Sequence, residues 1–75
     1  MNGVEKAVKQ LKGARNLAKK IGCTYENVRL WRKQGVIPQQ SVFAVEELTG
    51  IPCYELNPLV YPPEKFRHQY YQKAS

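Results

Sequence analysis

Apolar positions recur along the chain at helical rather than alternating spacing, and four stretches carry the pattern. In the first, Val4, Ala7, Val8 and Leu11 share a face while Lys6, Lys9 and Lys12 fall elsewhere, which predicts a helix from about Gly3 to Lys12. Gly13 either ends this helix or opens the next. The second stretch, Ala14 to Ile21, aligns Leu17, Ala18 and Ile21 before Gly22 breaks the pattern. The third starts at Thr24, a good N-cap residue, and runs to about Lys33 with Val28 and Trp31 turned inward. Gln34 and Gly35 stop it, since glycine suits the left-handed position after a helix. Val36-Ile37-Pro38 is a connector in which Pro38 holds Ile37 extended.

The fourth stretch, from about Gln40 to Thr49, puts Val42, Val45 and Leu48 on the buried side. Gly50 closes it and Pro52 bars its continuation. Cys53 to Asn57 fits one short fifth turn of helix, and Leu59-Val60-Tyr61 reads as an extended apolar segment. Pro62-Pro63 marks a boundary. The expectation is an all-α, compact four- to five-helix domain over residues 1–61 with a tail over residues 62–75. The tail fits a short helix, because Pro63 suits a first helical position and Glu64 a first turn, or a basic, aromatic arm.

The second and third helices meet the demands of a helix-turn-helix. Two short helices crossing steeply need a small residue at the crossing, where Ala18 stands. They need a residue tolerant of positive φ at the turn, where Gly22 stands. They need an apolar inner side, and Leu17, Ile21, Cys23, Val28 and Trp31 supply it. Trp31 three residues after Val28 belongs to this inner stripe rather than to a base-stacking surface.

Charge sharpens the picture. The formal balance of the 75 residues is +6, but it is unevenly spread. Residues 1–33 carry nine Lys or Arg against Glu5 and Glu26, while residues 34–75 carry Lys65, Arg67 and Lys73 against Glu46, Glu47, Glu55 and Glu64. The helix-turn-helix therefore coincides with the half that suits a polyanion. Double-stranded DNA is the expected partner, with the third helix in the major groove.

With Val28 and Trp31 inward, the outer face of that helix offers Tyr25, Glu26, Arg29, Leu30 and Lys33 to base edges. Arg29 suits the O6 and N7 of guanine, Glu26 a cytosine amino group, and Leu30 or Tyr25 a thymine methyl. Glu26 equally suits an intrahelical pair with Arg29. Arg15, Asn16, Lys19, Lys20, Thr24, Asn27 and Arg32 are the candidates for phosphate contacts.

Other classes are disfavoured. A domain this small has little room for a substrate cavity, and the single histidine, His68, lies in the tail, so no catalytic residue is assigned. Cys23 and Cys53 lack metal-ligand spacing and read as reduced, partly buried residues, so neither metal nor cofactor is expected. No apolar run is long enough for a membrane span or a secretory leader, which points to the cytoplasm.

Three runs carry a family resemblance. They are Val28 to Pro38 with Trp31, Gly35 and Ile37-Pro38, then Val45-Glu46 to Thr49-Gly50-Ile51-Pro52, then Leu56-Asn57-Pro58 to Tyr61-Pro62. Together they resemble the Cro-like and YdaS-like helix-turn-helix proteins of phages and prophages, over about residues 4–62. The resemblance implies a compact, lambda-repressor-like helical fold, operator binding and a prophage regulatory role. The family's ending runs Leu-Arg-Pro-Asp-x-Tyr-Pro, so Asn57 and Leu59 here replace its Arg and Asp.

A Cro-type repressor acting as a dimer on DNA is the leading expectation. Phe43, Leu56, Leu59, Val60, Tyr61, Phe66 and Tyr70 are the interface candidates, with closure of the monomer core the competing role for Leu56 and Tyr61. The alternative is an antitoxin-like or polymerase-recruiting regulator that also uses a second protein partner.

Overall fold

A computed structural model describes residues 2–65, and Phe66, His68 and Tyr70 lie outside the described residues. Among the described residues there are five helices and no strands. They are α1 (Gly3–Gln10), α2 (Ala14–Ile21), α3 (Tyr25–Gln34), α4 (Gln39–Thr49) and α5 (Cys53–Leu56). Residues 63–65 are helical again at the edge of the described chain.

Side chains satisfy amides at the starts of α1, α3 and α5, while α2 and α4 start without a side-chain cap. Asn2 caps α1, its side chain accepting from the Glu5 amide at 2.9 Å. Thr24 caps α3 by accepting from the Asn27 amide at 3.2 Å, as its residue type predicts. Glu46 reaches seven residues forward to accept from the Cys53 amide at 2.9 Å, and so caps the start of α5. No spacing rule for a helix start reveals that contact.

The first helix is shorter than its apolar stripe suggests. It stops at Gln10, and Lys12 takes a left-handed φ of 64°. The Lys12 and Gly13 amides then donate back to the Lys9 and Val8 carbonyls, closing the helix end that glycine usually closes. Gly13 accordingly opens α2 rather than ending α1. The Asn16 side chain stitches the elbow, its Nδ2 donating to the Leu11 carbonyl at 3.0 Å.

α1 is the hub and packs against each of the other four helices. Val4 and Ala7 are fully buried there, beside Leu17, Val28, Ile37, Val42, Val45 and Leu56. Gly3 is where α1 meets α5 backbone to backbone, and a Cβ at that position would overlap the Glu55 carbonyl. A Lys6–Glu55 ion pair ties the same two helices together.

Two expectations change in the C-terminal part. Leu48 is exposed rather than in the core, and α4 buries Val42 and Val45 alone. Residues 58–60 form a turn, not an extended segment. The cause is Asn57, a buried polar residue. Its Oδ1 accepts from the Leu59 and Val60 amides at 3.2 Å, bending the chain, and its Nδ2 donates to the Ile37 carbonyl at 2.8 Å. The Ile37 amide donates to the Leu56 carbonyl at 2.9 Å. The exit of α3 is thus clamped to the end of α5, and no polar atom of Asn57 is left unsatisfied.

Candidate nucleic-acid interface

α2 and α3 make the most extensive helix–helix contact in the molecule. Gly22 between them has φ 85°, and its amide and that of Cys23 both donate to the Ala18 carbonyl at 2.9 Å. Ala18 is buried at the crossing, as a close approach requires. Val28 and Trp31 are buried beneath α3. Its opposite face is consequently outward, and an open groove of about 440 Å³ runs along Glu26, Asn27, Arg29, Leu30 and Lys33.

Four of the five residues expected to face base edges line that groove. Arg29 and Glu26 form an ion pair at 3.3 Å, three residues apart, so the intrahelical partner considered for Glu26 is present. Tyr25 departs from the rest. Its ring leans back toward α2 and packs on the edge of the core. The Arg15 guanidinium sits 4.2 Å from the ring centroid and that of Arg29 6.0 Å.

The phosphate candidates divide by what already holds them. Lys19, Lys20, Arg15 and Asn27 are exposed on the helix-turn-helix side. Thr24 is engaged as the α3 cap and Asn16 as the elbow stitch, so their side chains serve the fold first. Arg32 is held in a two-pronged pair by Glu5 of α1, at 2.7 Å from Nε and 3.1 Å from Nη2. That hydrogen bond keeps the Glu5 carboxyl below its ordinary range and raises Arg32. A second open groove, about 330 Å³, joins Lys12, Arg15, Asn16, Tyr25 and Arg32 around the start of α2. The Glu5–Arg32 and Arg15–Tyr25 contacts were outside the reach of helix periodicity, since each joins different helices.

The apolar candidates divide as well. Leu56 is fully buried and Tyr61 is 8 % exposed, so both belong to the monomer's own core. Phe43 and Leu59 remain open at 56 % and 81 %, and Val60 is exposed as well. The Phe43 ring meets Tyr61 edge-on at 5.5 Å, so the core and the open patch are continuous.

Cys23 and Cys53 are both thiols, and burial pushes each up from its usual range. Among the described residues no cluster of His, Cys, Asp and Glu could hold a metal ion, and no helix is long and apolar enough to cross a membrane.

Comparison with known proteins agrees with this fold. The family described as bacterial toxin YdaS matches residues 4–65. The fold is similar to that of the Cro protein of the prophage element Xfaso 1 in Xylella fastidiosa strain Ann-1, with a TM-score of 0.76 and 28 % identity. That match covers 81 % of this chain and 97 % of the Cro chain. No curated protein sequence matches.

Proposed function

The chain belongs to the bacterial toxin YdaS family, and on that premise we propose that it is a Cro-type transcriptional repressor that binds a prophage operator as a dimer. The observation that carries this reading is the division of α3. Its inner side is spent on Val28 and Trp31, and its outer side offers Glu26, Arg29, Leu30 and Lys33 on an open groove. A helix so divided fits the major groove, which is wide enough to admit it.

In this reading Arg29 makes a two-pronged contact to guanine after turning from Glu26. Lys19, Lys20, Arg15, Asn27 and the amides opening α2 meet phosphates, and Arg32 joins them when Glu5 releases it. Phe43, Leu59 and Val60 join two copies. The protein acts by occupying DNA in the bacterial cytoplasm and catalyses no reaction.

Selection of bound sequences from a random DNA pool tests the reading. The expected result is a palindrome whose half-sites lie about 34 Å apart, one turn of DNA. A pool that yields no consensus overturns sequence-specific readout.

The open apolar patch also favours a second reading, in which a different protein covers Phe43 and Leu59. Sedimentation of the protein with and without its selected DNA separates the two. A single copy bound to DNA at saturation favours the second partner. The family's description as a toxin adds one expectation: overproduction slows bacterial growth through DNA occupancy, so loss of Arg29 and Lys33 relieves it.

A further inference from the structure

Tyr25 was expected to touch bases, and its ring lies against two arginines. It stands at the first position of α3, immediately after the Thr24 cap, and is half-buried against the core edge. Arg15, from the first turn of α2, lies 4.2 Å above the ring. Arg29, one turn further along α3, lies 6.0 Å from it, at the outer limit for attraction between a cation and an aromatic face. One side chain therefore touches both a candidate phosphate contact and the candidate base contact.

Long cationic side chains lose rotamer freedom when they dock, and that loss opposes binding. A ring fixed by the core restrains both guanidiniums before DNA arrives. It does so without a formal charge, so it neither neutralises the arginines nor repels phosphate. Glu26 restrains Arg29 differently, as an ion pair that must open before the guanidinium reaches a base.

We propose that Tyr25 is a positioning residue, whose ring pre-organises Arg15 for phosphate and Arg29 for a base edge and so couples affinity to sequence preference. The proposal rests on the DNA-reading role of α3 given above. It concerns the ring rather than the hydroxyl, so phenylalanine substitutes for it and an aliphatic residue does not.

The test compares Tyr25→Phe and Tyr25→Leu in the full chain. Thermal melting by circular dichroism establishes that each is folded. Nuclear magnetic resonance of the DNA-free protein reads the Arg15 and Arg29 side-chain protons, which the ring current shifts upfield in the wild type and in Tyr25→Phe but not in Tyr25→Leu. On the selected DNA, Tyr25→Phe retains both affinity and base preference. Tyr25→Leu loses about fivefold in preference at the base pair that Arg29 reads, the scale of one exposed cation–aromatic contact. Arg15→Ala also weakens binding less in the Tyr25→Leu background than in the wild type.

A role in packing alone lowers the melting temperature and affinity for every sequence together. Unchanged base preference in Tyr25→Leu, with additive Arg15 and Tyr25 effects, overturns the proposal. A wild type that selects no sequence overturns the DNA reading instead, and the ring-current shifts then decide the position of the two arginines on their own.

Discussion

α3 and α4 are consecutive helices of ten and eleven residues, and each buries only two side chains. They differ in what they leave outside. α3 leaves Glu26, Asn27, Arg29, Arg32, Lys33 and Gln34 with Leu30, whereas α4 leaves Gln39 and Gln40 at its start and then Phe43, Ala44 and Leu48 with Glu47. The same amount of core anchoring thus supports a charged surface on one helix and an apolar surface on the other. A polyanion suits the first, because cations displace its counterions. An apolar surface gains by removal from water, which suits a protein partner or a second copy. In a domain of this size, each helix is able to hold the fold with one face and serve a partner with the other.

The sharpest way to break this comparison is to remove one aromatic from each helix. Trp31 is buried under α3 while Phe43 on α4 is half exposed. Trp31→Ala should cost about 3–5 kcal/mol of folding free energy, which most of a small domain's stability cannot absorb. Phe43→Ala should cost the folded monomer about 1 kcal/mol or less. Chemical denaturation followed by circular dichroism measures both. Equal losses would mean that the outer face of α4 is structural, and the contrast between the helices would fall.

Arg29→Ala acts on the charged surface alone. The expected loss is about 1–3 kcal/mol on the selected site, concentrated at one or two base pairs. Binding titrations against single-base variants read it. A loss spread evenly over all variants would move Arg29 from base to phosphate.

Phe43→Asp acts on the apolar surface alone. A buried interface position of this kind is worth about 1–2 kcal/mol or more on truncation, and a charge adds a desolvation penalty. Sedimentation on DNA should change from two copies to one while the melting temperature falls by no more than it does in Phe43→Ala. Retention of the dimer would transfer the contact elsewhere and leave Phe43 without a role in pairing.

Lys19→Ala refines the charged side. Affinity should fall similarly on specific and random DNA, and the slope of log affinity against log salt should flatten by about 0.9 for the one phosphate lost. A fall confined to the specific site would contradict the phosphate role.

The division of α3 was legible in the sequence, and the division of α4 was not. Val28, Trp31, Ala18 and Gly22 lie within one local motif, where periodicity and turn chemistry act over a few residues. On α4 the spacing that predicts Val42 and Val45 as core predicts Leu48 equally well, yet only the first two are buried. Periodicity says which residues share a face but not how far the covering helix extends. The same limit hid the bend after α5. Asn57 looks like an ordinary loop residue, and its role depends on the Ile37 carbonyl, twenty positions away. Leu56 and Tyr61 were undecided between core and interface for that reason, and the clamp at Asn57 is what draws them inward.

Glu5 offers the smallest effect, and its sign distinguishes two roles. Its carboxylate holds Arg32 by two hydrogen bonds, and the Arg32 contact lowers its pKa from the ordinary 4.5. A carboxyl whose pKa is lower folded than unfolded stabilises the protein above the unfolded value. That contribution fades as the pH falls through the folded one. The melting temperature of the wild type should therefore drop below pH 4.5 more steeply than that of Glu5→Gln, and the two curves should approach each other in acid. Both partners are partly exposed, so water and salt screen the pair and the difference at neutral pH should be small. DNA binding should move the other way. Glu5→Gln frees the Arg32 guanidinium and removes a negative charge beside the charged face, so it should bind every sequence somewhat more tightly at neutral pH. Weaker binding of every sequence would instead make Glu5 the residue that aims Arg32 at a phosphate, and α1 would then be part of the DNA surface.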